Sequence, residues 1–339
     1  MEYKLTIFTP TYNRAYILPR LYTSLLSQTN LNFEWLIVDD GSTDNTRELI
    51  TDWIKENKIK IRYFYQKNSG KMKAHNKGVD EATTELFFCV DSDDWLVNDA
   101  VNNILYEWAS ISDDDKKILS GIVAYRGKNI NESIGNLFPY GVKIDTLSGL
   151  YNKGLTGDTS LIFKTEILRK FKFPIIKDEK FITEAYVYDK IDREYKMWVL
   201  PKILTICEYR EDGLTKNILK ITFNNPCGYV AYFLQKGNYA SSFVDIFPTF
   251  ILPLYSLTTS STNLPVCHAL QCGIGILLLG SGSNVGFFTS RFFSIVIFDS
   301  FCAKAVRHMA ENTKLTMHCT ITIHLSAFFN FSIINMTSF

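Results

Sequence analysis

The chain has 339 residues, 36 of them basic and 35 acidic, so its formal net charge is +1. This balance excludes a nucleic-acid-binding protein that works through bulk positive charge, and a content of 46% hydrophobic residues excludes a disordered chain. The averages conceal a split, because only eight of the charged residues lie beyond Gln235. Residues 1–235 and 236–339 are therefore treated as separate regions.

The first region has few cysteines and no sign of a secretory signal. It contains Cys89, Cys207 and Cys227, at no spacing typical of a metal site. Such sparse cysteines fit a reducing cytoplasm. From Met1 the chain runs directly into a short apolar segment, whereas a secretory signal has a longer apolar core. The sequence thus predicts a cytoplasmic protein.

The first hundred residues alternate between predicted strands and predicted helices. Apolar runs predict strands at 5–8, 33–38, 59–65 and 86–90. Apolar residues that recur every three or four positions predict three helices, which start near Ile17, after Thr43 or Asp44 as N-cap, and at Gly70. This alternation indicates an α/β fold with a mostly parallel, doubly wound sheet flanked by helices.

A polar cluster follows three of the four predicted strands. The clusters are Thr9-Pro10-Thr11-Tyr12-Asn13-Arg14, Asp39-Asp40-Gly41-Ser42 and Asp91-Ser92-Asp93-Asp94. Ligands of open α/β sheets bind outside the carboxyl ends of the strands, so we expect the three clusters to meet at one edge. Each cluster alone is also explained as a turn with a helix cap. Their convergence favours a ligand site.

The cluster after the fourth strand predicts a metal site. Asp91 and Asp93 point the same way from an extended strand end, and their mutual repulsion calls for a counter-charge such as Mg²⁺ or Mn²⁺. The competing explanation is an acidic helix N-terminus. Neither GxGxxG nor GxxxxGK[ST] occurs in the chain, which argues against a dinucleotide dehydrogenase and a P-loop NTPase. A metal, helped by Lys71 or Lys73, would then balance the charge of bound phosphates.

Five motifs of the first hundred residues together resemble the family 2 glycosyltransferases, which are inverting enzymes with the GT-A fold. In chain order they are Thr9-Pro10-Thr11-Tyr12-Asn13-Arg14, Val38-Asp39-Asp40-Gly41-Ser42-Thr43-Asp44, Asn68-Ser69-Gly70-Lys71, Asn76-Lys77-Gly78 and Val90-Asp91-Ser92-Asp93-Asp94. The resemblance implies a nucleotide-diphosphate-sugar donor, most often a UDP-sugar, bound mainly by residues 1–100.

The resemblance also implies roles for individual residues. Asp40 would contact the nucleotide base, and Asp93 and Asp94 would hold Mn²⁺ or Mg²⁺, with Asp91 as a further ligand. The residues implied to bind the nucleotide-sugar are Thr9, Pro10, Tyr12, Asp40, Lys71, Asp91 and Asp158.

Residues 101–235 are expected to bind the acceptor and to supply the catalytic base. Residues 125–157 predict an extended loop region, and residues 181–196 predict a helix. An inverting transfer needs one carboxylate to accept the proton of the attacking hydroxyl, and no covalent intermediate. Thr183-Glu184 resembles the acidic motif of the family, so Glu184 is the predicted base, with Asp178 and Glu179 as rivals.

Residues 208–217 resemble a segment of a bacterial subgroup of the family. That resemblance implies a lid, in which Arg210 or Lys216 reaches the diphosphate.

The region 236–339 is hydrophobic and poor in charge. No charged residue occurs in 246–290, yet the best apolar stretch, Ile274 to Leu279, is too short for a transmembrane helix. Two interpretations stay open: a membrane-facing segment that suits a lipid-linked acceptor, or an out-of-frame extension that is not a native fold. A membrane-facing tail would place the enzyme at the inner face of the plasma membrane.

The predicted function is inverting transfer of a sugar to a glycan or lipid-linked saccharide of a bacterial surface polysaccharide, without a nucleic-acid partner. One alternative is a metal-dependent nucleotidyltransferase, which is disfavoured because the loop after the first strand has a single basic residue, Arg14. Another is a catalytically impaired, membrane-docked protein of the same fold. The intact acidic motifs disfavour a loss of donor binding, but they leave open a loss of acceptor binding.

Overall fold

The structure is a computed structural model, and it describes residues 3–208 and 217–239. The predictions for Arg210, for Lys216 and for residues 240–339 lie outside the described residues. The strands are β1 (Leu5–Thr11), β2 (Phe33–Asp39), β3 (Ile61–Tyr65), β4 (Leu86–Cys89), β5 (Trp95–Leu96), β6 (Leu119–Asn129), β7 (Glu132–Ser133), β8 (Ile144–Asp145), β9 (Thr159–Lys164) and β10 (Lys196–Ile206). The helices are α1 (Leu18–Leu26), α2 (Thr46–Glu56), α3 (Lys71–Glu81), α4 (Ala100–Ser110), α5 (Asp113–Ile118), α6 (Leu147–Asn152), α7 (Thr165–Lys170), α8 (Ala185–Glu194), α9 (Ile218–Asn224) and α10 (Pro226–Tyr239).

The first four strands form the parallel half of one sheet, in the order β3-β2-β1-β4. Helices α1, α2 and α3 connect successive strands, as the alternating pattern predicted. Tyr22 of α1, Trp35 of β2 and Trp53 of α2 stack on one another with ring centroids 4.2 to 6.0 Å apart. Aromatic contacts of this kind bury much apolar area and fix how the helices sit on the sheet.

Strand β1 is longer than the sequence predicted. The prediction ended it before Thr9, whereas the ladder with β2 continues to the pair Thr11–Asp39. The polar residues of β1 suggested a loop, but they are buried, and the Thr9 hydroxyl accepts from Nε1 of Trp35 at 3.0 Å. A satisfied threonine fits a central strand well.

The second half of the sheet is mixed. Strand β9 pairs antiparallel with both β4 and β6, and β10 then pairs parallel with β6 and antiparallel with β5. The main path of strands is β3-β2-β1-β4-β9-β6-β10-β5. The α/β sheet flanked by helices is thus confirmed, with its parallel part in the first hundred residues and antiparallel pairings beyond them.

Three local predictions need correction. Residues 125–157 are not one extended loop, because β6 continues to Asn129 and Thr146 caps α6 by accepting a hydrogen bond from the Gly149 amide at 3.0 Å. Helix α8 is shorter than 181–196, since Lys196 already pairs with β6. Helix α2 follows Asn45 rather than Thr43 or Asp44 as its N-cap.

Helix α10 packs onto α8 and the segment before it, and α9 packs onto α10. Ala231 and Phe233 of α10 are each 8% exposed, and Ala231 shares an apolar cluster with Ile182, Val187 and Ile191. In residues 3–208 and 217–239, no helix is both long enough and apolar enough to span a bilayer. These two helices therefore extend the folded core beyond β10.

Candidate active site

The carboxyl ends of β1, β2 and β4 lie side by side at one edge of the sheet. Backbone pairing joins Thr11 of β1 to Asp39 of β2, and β1 pairs with β4 up to Cys89. Asp40 follows β2 directly, and Asp91 lies two residues after β4. The sheet order thus brings the three polar clusters to the same edge, as the sequence predicted.

Lys71 joins the acidic cluster to the predicted base. Its Nζ lies 2.7 Å from Oδ1 of Asp91 and 2.8 Å from Oε1 of Glu184. Lys71 is the first residue of α3, and Glu184 occupies the N-cap position of α8. Three predicted site residues that are far apart in sequence therefore meet in one cluster.

The charges of this cluster stabilise one another. Burial disfavours the charged form of Lys71, but the carboxylates of Asp91 and then Glu184 outweigh it and hold the pKa of Lys71 well above its usual value. Burial alone would raise the pKa of Asp91, but Lys71 and then Arg126 lower it below the usual value. Lys71 and Asp91 are therefore both charged at neutral pH.

Asp94 is buried and faces Arg126 of β6. Nη1 of Arg126 lies 3.4 Å from Oδ2 of Asp94, and in the described part of the chain that oxygen has no hydrogen-bond partner. Burial raises the pKa of Asp94 to about 7, although Arg126 opposes the rise. Arg126 was not among the predicted site residues. Its signal in the sequence is a single charge that ends the run of uncharged residues in 119–125.

Arg20 of α1 holds the backbone of the acidic cluster. Its Nη2 donates to the carbonyl oxygen of Asp93 at 3.0 Å, and its Nη1 bonds Oε2 of Glu208 at 2.9 Å. The guanidinium lies over the ring of Trp95, 3.8 Å from the centroid. Arg20 therefore fixes the position of a predicted metal ligand through that residue's main chain, and no pattern in the sequence indicates this contact.

Asp40 organises the turn that leads to Lys71. Its Oδ1 accepts from Nε2 of Gln66 at 2.7 Å and from the Ser69 amide at 2.8 Å, and its Oδ2 accepts from the Gly70 amide at 2.7 Å. The side chain is almost fully buried. These bonds show a structural role for Asp40, and its predicted contact with a nucleotide base stays a prediction.

The other predicted donor-binding residues lie at the ends of two strands. Thr9 and Pro10 are buried within β1, while Tyr12, just beyond that strand, is 46% exposed. Asp158 is exposed directly before β9. Burial and also the charge of Asp158 raise the pKa of the Tyr151 phenol.

Glu179 and Asp178, the two other candidates for the catalytic base, differ from Glu184 in their contacts. Oε1 and Oε2 of Glu179 accept from the amides of Cys227 and Gly228, both at 2.7 Å, so this carboxylate caps the N-terminus of α10. Asp178 occupies a turn with φ of 64°. Of the three acidic candidates, Glu184 is the one paired with Lys71.

The acidic cluster fits a divalent cation whose ligands are partly protein carboxylates and partly oxygens of a bound diphosphate. In the described ranges, no group of three or more His, Cys, Asp or Glu side chains forms a complete metal site. Mg²⁺ commonly uses only one or two carboxylates together with substrate phosphates. The half-buried Asp93 and Asp94, whose Oδ2 has no hydrogen-bond partner among the described residues, can supply those carboxylates.

Comparison with known proteins identifies the class. The model of the glycosyl transferase family 2 matches residues 6–171. A glycosyltransferase of Rickettsia felis is 36% identical over 151 residues, which cover 40% of this chain and 23% of that protein. The chain thus spans about a quarter of the length of this relative.

A second relative is matched over more of its length. It is the GalNAc(5)-diNAcBac-PP-undecaprenol beta-1,3-glucosyltransferase of Campylobacter jejuni, 24% identical over 236 residues, which cover 67% of this chain and 72% of the relative.

Solved structures show the same fold. S. aureus TarS 1-349 has a TM-score of 0.50 at 21% identity, with 79% of this chain and 77% of that chain covered. A mannosyltransferase of Pyrobaculum calidifontis, solved with GDP-Man and Mn2+, also has a TM-score of 0.50, at 17% identity and with 80% of each chain covered. The fold is of the GT-A type, and residues 6–171 match the model of glycosyl transferase family 2.

Proposed function

We propose that the protein transfers a sugar, with inversion, from a nucleotide-diphosphate-sugar to a hydroxyl group of a saccharide. The observation that carries this proposal is the pairing of Lys71 with both Asp91 and Glu184. The cluster contains Lys71, a cation suited to a diphosphate, together with two carboxylates. Asp91 is suited to the donor, and Glu184 is suited to act as the base. An inverting transfer needs a carboxylate that accepts the proton of the acceptor hydroxyl and positive charge that stabilises the departing diphosphate.

The reaction needs one proton transfer to the protein. The acceptor oxygen forms a bond to the anomeric carbon, and the bond from that carbon to the diphosphate oxygen breaks, with its electron pair leaving on the diphosphate. The hydroxyl proton passes to Glu184. Because Lys71 binds Oε1 of this residue, we assign Oε2 as the oxygen that accepts the proton.

The donor is proposed to lie along the strand ends, against Thr9, Pro10, Tyr12, Asp40, Asp91 and Asp158. Asp93 and Asp94, with Asp91 as a further ligand, would hold Mn²⁺ or Mg²⁺. The chemistry that a bound divalent cation supplies is neutralisation of the charge on the departing diphosphate. We propose a UDP-sugar, because a carboxylate such as Asp40 can accept from N3–H of uracil, and because TarS, which shares the fold, has been crystallised with UDP-GlcNAc.

The acceptor is proposed to be a glycan or a lipid-linked saccharide. The name of the Campylobacter jejuni relative describes an undecaprenol-linked acceptor, and that match extends over most of the region described here. A lipid-linked acceptor would bring the enzyme to the inner face of the plasma membrane as a peripheral protein.

The test compares Glu184→Gln with Glu194→Gln, a control at the exposed end of the same helix. UDP-glucose, UDP-galactose, UDP-GlcNAc and UDP-GalNAc are first screened by thermal shift with Mn²⁺. Release of UDP from the selected donor is then measured, with water as acceptor. We expect Glu184→Gln to lower turnover by about 100-fold or more while donor affinity is retained, and Glu194→Gln to behave as wild type. Normal turnover in Glu184→Gln would refute the assignment of the base.

A further inference from the structure

We infer that Asn225, which precedes α10, is a positioning residue for the catalytic base, and that α9 and α10 are part of the active-site framework. This inference rests on the proposed function, because it takes Glu184 to be the base. The segment that it concerns is 179–184, the stretch that leads into α8 and is called the base segment below.

Asn225 binds the backbone of the base segment. Its Oδ1 accepts from the amide of Lys180 at 2.8 Å and from the amide of Phe181 at 3.1 Å. Its Nδ2 donates to the carbonyl oxygen of Ile221 in α9 at 2.7 Å. The side chain is 8% exposed, so water cannot readily replace these bonds. One asparagine therefore ties two consecutive amides of the base segment to the C-terminal helices.

A second connection runs in the opposite direction. Glu179, in the base segment, accepts from the amides of Cys227 and Gly228 at the N-terminus of α10. A carboxylate is favourable there, because the first amides of a helix lack partners and the helix dipole is positive at that end. The backbones approach closely: an added Cβ at Gly228 would lie 2.5 Å from the carbonyl oxygen of Phe181.

The body of α10 extends this contact along α8. Nε2 of Gln235 donates to the carbonyl oxygen of Tyr186 at 2.8 Å, and Nζ of Lys236 lies 3.1 Å from Oδ2 of Asp189. Ala231 packs in the same apolar cluster as Ile182. Helix α10 thus contacts a residue that precedes Glu184 in the sequence, Ile182, and residues that follow it, Tyr186 and Asp189.

The opposite side of the base segment rests on the turn before Lys71. A Cβ at Gly70 would collide with the carbonyl oxygen of Lys180, so the two backbones touch. Asp40 in turn holds the amide of Gly70. The base segment is therefore held between this turn and Asn225, and the Lys71–Glu184 ion pair closes the arrangement.

Loss of Asn225 would free the base segment on one side while the donor site at the strand ends stays intact. A displacement of about 1 Å in a reacting group is enough to lower a rate by about 100-fold. We therefore expect Asn225→Ala to lower kcat by about 10- to 100-fold and to change the affinity for the donor by less than about twofold.

The experiment uses the full chain and the UDP-release assay with Mn²⁺ described above. Asn224→Ala is the matched control, since the neighbouring asparagine is exposed. Each variant is also made in the Glu184→Gln background. If Asn225 acts through the base, Asn225→Ala lowers kcat in the wild type but has little further effect beside Glu184→Gln. A loss of the same size in both backgrounds, or a normal kcat in Asn225→Ala, would overturn the inference.

Amide hydrogen exchange separates this inference from the proposed function. Asn225→Ala is expected to lose protection at the amides of Lys180 and Phe181, and Asn224→Ala is expected to keep it. The wild type could release no nucleotide while Asn225→Ala alone loses exchange protection at these two amides. That result would refute the proposed function but not the contact. Unchanged protection in Asn225→Ala would refute the contact itself. If Asn225→Ala does not fold, Gly228→Ala displaces the same segment from the α10 side and replaces it in both measurements.

Discussion

Replacement of Lys71 by methionine removes the cation that the acidic cluster and the base share. The change keeps the length and most of the volume of the side chain, but it leaves Asp91 and Glu184 without the ammonium that lies 2.7 and 2.8 Å from them. Both stability and donor binding should suffer. The two effects have different origins and can be measured separately.

The loss of stability follows from the exposure of the three side chains. Removal of one partner from a buried ion pair costs about 3–5 kcal/mol, whereas exposed pairs contribute about 0–1 kcal/mol. Lys71 is 19% exposed, Asp91 28% and Glu184 40%, so water can solvate part of the unpaired charge. We expect Lys71→Met to lower the free energy of unfolding by about 1–3 kcal/mol, between these limits.

The loss of donor affinity follows from the charge of the diphosphate. A hydrogen bond to a charged group contributes about 1.5–3 kcal/mol, which corresponds to about a 10- to 100-fold weaker affinity for the UDP-sugar. Urea denaturation and titration with the donor measure the two quantities. Lys55→Met is the control, because Lys55 is an exposed lysine of α2 with no proposed role in donor binding. Wild-type stability and wild-type donor affinity in Lys71→Met would refute the reasoning.

Two further predictions concern Arg20 and His75. Arg20→Met should raise the half-saturating Mn²⁺ concentration in the UDP-release assay by about 10-fold, because it removes a charged hydrogen bond of about 1.5 kcal/mol to the Asp93 carbonyl. Glu208→Gln should have less than a twofold effect, since that ion pair is exposed; an equal effect would show that the ion pair, and not the carbonyl contact, matters. Burial lowers the pKa of His75 to about 4 from 6.5, so below pH 6.5 the unfolded state takes up a proton that the folded state does not. Between pH 7 and 5 this histidine should therefore cost about 2 kcal/mol of stability, and urea denaturation of His75→Phe, which keeps the ring contacts with Phe8, Phe87 and Phe173, should lack that loss. An equal pH dependence in both proteins would contradict the assignment.

The parallel half of the fold could be predicted because its signals are local. Short apolar runs that alternate with helical periods define β1 to β4 and α1 to α3, and a right-handed crossover leaves few ways to arrange them. Strand β9 is different. Its position between β4 and β6 depends on pairing with β4 residues that lie 74 to 78 positions earlier in the chain, such as Leu86 with Lys164. Periodicity carries no such information.

The residues of the candidate site also divide into those that local motifs predicted and those that they did not. Lys71, Asp91 and Glu184 were found because each belongs to a short motif, and the structure brings them into contact. Arg20 and Asn225 were not found. Each acts through hydrogen bonds to main-chain groups distant in sequence, and main-chain groups leave no residue pattern. The role of Asp40 in holding the Ser69 and Gly70 amides was missed for the same reason.

The charges at the strand ends explain why a cation should accompany the donor. The carboxylates of Asp91, Asp93, Asp94 and Glu184 lie near Lys71, Arg126 and Arg20, and each of these cations is already paired with at least one carboxylate. A diphosphate would add negative charge to a site in which carboxylates are in excess, and like charges at short range repel. The Lys71 ammonium alone cannot both pair with Asp91 and Glu184 and neutralise a diphosphate. Binding of the donor together with a divalent cation at Asp93 and Asp94 would remove this conflict, and it would leave the ion pair between Lys71 and Glu184 in place.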